Sequence, residues 1–79
     1  MSAGWNYRVM EETIDHPEFG RYITYGIQVG CETEHGWEPM DTLHDVTTDS
    51  CIAKLMALLF NSCQLSPVHL REVVGDLLP

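Results

Sequence analysis

Four histidines, three cysteines and twelve carboxylates are the groups in this chain that could do chemistry, and their spacing decides which kind. His69 precedes Glu72 by one helical turn and Asp76 by two, the placement of a general base with an orienting carboxylate. No nucleophile lies nearby in sequence. A position beside a helix start also accounts for the histidine structurally, with its ring packed there and bonded to backbone or to Asn61. His16, Glu18, His35, Asp41, His44 and Asp45 are metal donors by type. They lack H-x-H, H-x-x-x-H and H-E-x-x-H spacing, so the sequence predicts no metal site.

The thiols are no more suggestive. Cys31, Cys51 and Cys63 include no C-x-x-C pair, and an odd number cannot all pair within one chain. Cys51 and Cys63 fall twelve residues apart on one expected helix, about 18 Å, far beyond disulfide reach. Cys51 is the one thiol that a helix N-terminus could acidify, and Asp49 opposes that shift. At least two of the three are expected to be buried small residues. Phosphate-cradling glycine loops and nucleophile elbows are absent, so no catalytic residue and no cofactor are expected.

With 79 residues, the chain has apolar material for one core, and residues 1–79 are expected to form one domain. A hydrophobic share of 44% is that of a folded chain and argues against disorder. The longest apolar run, Leu55 to Phe60, is too short to cross a bilayer, and no signal sequence is read at the start, so a cytoplasmic protein is expected. Twelve acids against four bases give a net charge of −8, which repels phosphate backbones and anionic lipid. Neither nucleic acid nor membrane is an expected partner.

The elements follow from periodicity. After a frayed tail over residues 1–4, Trp5, Tyr7 and Val9 alternate with Asn6 and Arg8, predicting a strand to about Ile14. Pro17 and Gly20 mark a turn. Ile23, Tyr25, Ile27, Val29 and Cys31 then form one face of a central strand, with Gly26 and Gly30 opposite, tolerable where a bulky neighbour or backbone approaches closely. A turn at Glu34–Gly36 leads to a third strand, Trp37 to Val46, confined to an edge by Pro39. Leu43 and Val46 cannot share a face under strict alternation, which predicts a bulge. Thr47 or Thr48 can cap a helix whose stripe is Ile52, Leu55, Met56, Leu59 and Cys63, widened by Leu58 and Phe60. Ser66 and Pro67 start a last helix, with Leu65 and Leu70 as a hydrophobic staple and Leu70, Val73, Val74 and Leu77 as its apolar face. The predicted fold is α+β: a three-stranded antiparallel β-meander over residues 5–46, and a helical pair over residues 48–78 packed on one face.

Three segments carry a resemblance: Tyr7-Arg8-Val9, Tyr25-Gly26-Ile27, and Asn61-Ser62-Cys63-Gln64-Leu65-Ser66-Pro67-Val68-His69-Leu70 with Val73, Val74 and Asp76 beyond. In these the chain resembles a family of short bacterial proteins of unknown function from clostridia-like Firmicutes. The resemblance covers nearly the whole chain, its ending being the most specific part, and implies no activity, substrate or cofactor. Gly75 departs from the acidic residue that the resemblance implies there.

A non-catalytic protein-interaction or regulatory module is therefore expected, with a protein partner or a second copy as a homodimer. Surplus apolar helix surface favours assembly in so small a chain. The interface candidates are Tyr22 on the open sheet face, Trp37 as the most exposed aromatic, the Leu58/Phe60 side of the first helix, and His69. Two alternatives stand beside it: a small metal- or histidine-dependent enzyme, and an acidic decoy or antagonist of a basic nucleic-acid-binding protein.

Overall fold

The computed structural model describes residues 4–78. Strands β1 (Asn6–His16), β2 (Gly20–Thr33) and β3 (Gly36–Thr47) form an antiparallel sheet in the order β1-β2-β3. Helix α1 (Ser50–Cys63), a 3-10 turn (Pro67–His69) and helix α2 (Leu70–Leu77) follow. This is the predicted α+β meander with two C-terminal helices. The first three residues of the expected tail lie outside the described residues. Both hairpin turns use the conformation only glycine adopts freely, with φ of 75° at Gly20 and 106° at Gly36.

Register places Tyr7 opposite Val29, and Val9 opposite Ile27, which in turn faces Leu43. These rows meet Met56, Ala57 and Phe60 of α1 and Leu70 and Val74 of α2 in the core. The pairing of β2 with β3 slips twice. One slip, between Tyr25 and Ile27, lets Leu43 and Val46 both pack on the core, as their spacing predicts. Asp45 there takes a left-handed φ of 52°. Glu12 Oε1 accepts its N–H at 3.0 Å, and its Oδ1 accepts the Thr24 hydroxyl at 2.7 Å. Thr24 is wholly buried, and its hydroxyl also reaches the Thr47 carbonyl at 3.0 Å. A Cβ on Gly26 would lie 2.6 Å from the Leu43 carbonyl, so only glycine fits beneath the bend.

The first helix corrects several expectations. Its cap is Asp49, not Thr47 or Thr48: Asp49 Oδ1 accepts the N–H of Cys51 at 2.9 Å and of Ile52 at 3.3 Å. The Thr47 hydroxyl instead accepts the Asp49 N–H. The buried face is Ala53, Met56, Ala57 and Phe60, turned well away from the expected stripe. Two alanines let the helix backbone approach the sheet, and Phe60 fills the gap beside Tyr7, ring centroids 5.4 Å apart. Phe60 is thus a core residue with 1% exposure and no interface. Cys51 and Cys63 are exposed and Cys31 is half-buried, contrary to the expectation of buried thiols.

The turn of the helix is set by two side-chain amides. Asn61 Oδ1 accepts the Tyr7 N–H at 2.6 Å and its Nδ2 donates to the Tyr7 carbonyl at 2.9 Å. Gln64, in a left-handed conformation just past α1, repeats the pattern on Trp5 at 2.8 and 3.0 Å. The Tyr7 hydroxyl donates to the Leu65 carbonyl. The outer edge of the first strand is thus paired by amides from the helix in place of a fourth strand. Farther on, Leu70 is fully buried with Leu65 packed on the same core, as the staple requires. Ser66 precedes the 3-10 turn without a side-chain capping bond. Replacing Asn61 by alanine, which strands the Tyr7 N–H and C=O, is expected to cost about 1–3 kcal/mol in urea unfolding. Asn61→Asp keeps the acceptor but loses the donor, and should recover only part of that loss.

Candidate interaction surface

Several of the polar residues that could do chemistry, His16, His44, Glu12 and Asp41 among them, are engaged in holding the fold. The exposed His69 ring lies 4.0 Å from Glu72, one of the two carboxylates its spacing offered, and makes no bond to Asn61. His16 Nδ1 accepts the N–H groups of Glu18 and Phe19, and its ring stacks on Phe19 at 4.5 Å, which shapes the first turn. His44 Nδ1 meets Glu12 Oε2 at 2.6 Å, on the same carboxylate that holds the Asp45 bend. The His44 contact and the Asp45 N–H together hold the Glu12 carboxyl below its usual pKa. Asp41 is likewise lowered by Arg71, whose guanidinium grips both its oxygens and ties α2 to β3. Burial raises the Tyr7 hydroxyl. Among the described residues no three His, Cys, Asp or Glu side chains converge as a metal site.

The sheet face turned away from the helices is filled from within. Trp37 lies over Gly30, where a Cβ would fall 2.5 Å from the ring. The Arg8 guanidinium sits 3.7 Å above the same ring, a cation–π contact. Trp37 is therefore half-buried in a sandwich between strand and guanidinium, and its Nε1 has no partner among the described residues. It does not line the helix-facing side with Trp5 and Tyr7, nor stand as the exposed aromatic expected of it. The Tyr22 hydroxyl reaches Asp45 at 3.5 Å, and Gln28 donates to Thr42 at 3.0 Å.

The surface left over is apolar and lies on the outward side of the helices. Leu55, Leu58 and Leu59 are 65%, 67% and 51% exposed, and Ile52 and Leu77 nearly as open. Ile52, Leu55, Met56, Leu59 and Leu77 line a groove of about 300 Å³ between α1 and the end of α2. From Ser50 to Cys63 the only charge is Lys54, in a chain of net charge −8. Leu58 is where the sequence placed an interface. Its companions Leu55, Leu59 and Ile52 were expected in the core, and the excess width of the apolar stripe was their one visible signal.

A family model described as a family of unknown function (DUF6514) matches residues 2–79. No curated protein and no solved structure matches the chain. The segments that carried the resemblance meet in the fold, Asn61 bonding the backbone of Tyr7 and Tyr7 bonding Leu65. No helix among the described residues is long and apolar enough to cross a membrane.

The lowered carboxyls fix the sign of the acid response. A depressed folded-state pKa stabilises the fold where the unfolded carboxyl is ionised, and that contribution vanishes as pH falls through the folded value. Thermal stability should therefore hold above about pH 4.5 and decline below it. Asp41→Asn, which removes the ion pair with Arg71, should lower stability at neutral pH and flatten the decline in melting curves recorded from pH 7 to pH 2.

Proposed function

The chain belongs to this family of unknown function, and we propose that it is a non-catalytic protein-interaction module whose outward α1 face docks on a second copy of itself. The observation that carries the proposal is the row of exposed leucines on a helix that bears one charge in fourteen residues. Two copies that each carry −8 repel one another wherever acidic surfaces approach. The outward side of α1 is where they can meet without stacking carboxylates.

Area decides whether the face is large enough for a specific contact. The five exposed apolar side chains offer roughly 500 Å² per copy, so a pair buries on the order of 1,000 Å², the lower bound for a specific interface. Covering these side chains removes apolar surface that so short a chain cannot bury alone. The clustered side chains give less support to an enzyme, since Glu12 is engaged by the Asp45 bend and Asp41 by the attachment of α2.

Sedimentation equilibrium tests the proposal. The wild-type chain should rise from 9.0 kDa toward twice that mass with increasing concentration. Leu55→Glu, a change at an exposed position that leaves the core intact, should stay monomeric over the same range. A wild-type chain that remains at the monomer mass up to several hundred micromolar overturns the proposal.

A further inference from the structure

The sheet is longer than the helices that cover it. The fourteen residues of β2 extend about 46 Å, whereas the fourteen of α1 rise only about 21 Å. The molecule is correspondingly elongated, 49 Å by 28 Å by 20 Å. On β1 and β2 the core takes in the rows only as far as Val9 and Ile27, and on β3 it reaches Leu43 and Val46. On the same face three further rows run on, Glu11 opposite Tyr25, Thr13 opposite Ile23 and Asp15 opposite Arg21. None of these six residues belongs to the core, and Ile23 is half exposed, with Phe19 bare at the tip of the hairpin. The chain thus has a sheet end without a helix over it and a helix face without a sheet over it.

Resting on the self-association proposed above, we infer that each copy lays the bare end of its β1–β2 hairpin over the outward face of α1 of the other copy. Each α1 is then held between its own sheet and the second sheet, and the two contacts are equivalent by twofold symmetry. Sheet-to-helix packing, which the fold already uses on the inner side of α1, is repeated on the outer side with Ile23 and Tyr25 against the leucines. Charge agrees with this placement. Arg21 is paired with Asp15, Arg71 with Asp41, and Arg8 lies on Trp37. Lys54, at the border of the leucine face, has no ion-pair partner among the described residues, and neither has Glu11 on the bare sheet end. Laid over one another, these two surfaces bring Lys54 of one copy to Glu11 of the other.

Sedimentation of hairpin variants separates this arrangement from direct pairing of two α1 faces. Ile23→Glu should weaken the dimer at least about tenfold, as burying an unpaired carboxylate against leucines requires, with circular dichroism unchanged because the position is exposed. Lys54→Glu should weaken it about three- to fivefold, and adding Glu11→Lys should restore it. If Ile23→Glu dimerises like wild type while Leu55→Glu does not, the hairpin contact is overturned and self-association through α1 stands. Failure of Glu11→Lys to rescue Lys54→Glu also overturns the arrangement. A wild-type monomer removes both proposals together.

Discussion

The rest of the structure depends on how one helix end is fastened to one strand edge. Asn61 and Gln64 present their amides to the backbone of Tyr7 and Trp5, each giving a donor and taking an acceptor as a neighbouring strand would. Backbone groups on a strand edge need partners when they are drawn toward a core, and water is poorly placed to serve under a covering helix. This fastening fixes the rotation of α1 about its own axis. Ala53, Met56, Ala57 and Phe60 are thereby directed inward, and Leu55, Leu58 and Leu59 outward. The outward leucines are thus a consequence of satisfying polar groups at the opposite side of the helix.

A second constraint acts on the far side of the sheet. Glycine at positions 26 and 30 makes room for the Leu43 carbonyl and the Trp37 ring, and each position accompanies a departure of β3 from regular pairing. The polar residues gather at those departures. Glu12 holds the Asp45 bend and His44 together, and Arg8 closes over Trp37. A carboxylate beside an imidazole, which in isolation suggests acid–base chemistry, here supplies hydrogen bonds that a bent strand would otherwise lack. The widest surface left for contact with other molecules is the apolar outward side of α1, with Lys54 at its border.

Strand pairing, glycine turns and the central position of β2 were legible in the chain because they follow from period-two alternation and from residues with restricted φ. The broken spacing of Leu43 and Val46 likewise announced the bend. The face of α1 was not legible. Leucine at 55 and 59 obeys helical spacing as well as alanine at 53 and 57 does, and hydrophobicity alone favours burying the larger side chains. Close approach to a sheet favours the smaller ones, and only the contacts of Asn61 and Gln64 with a strand some fifty-five residues earlier choose between them. The exposure of Cys51 and Cys63 follows from the same choice.

By itself, then, the sequence determined the order of elements, the meander and the acidic, charge-poor-helix character of the chain, since these are local or compositional properties. Which helix face meets the sheet, how far the sheet outruns its cover, and which polar residues are already spent were decided by tertiary structure. They depend on hydrogen bonds and packing between residues far apart in the chain, whose register no local period encodes.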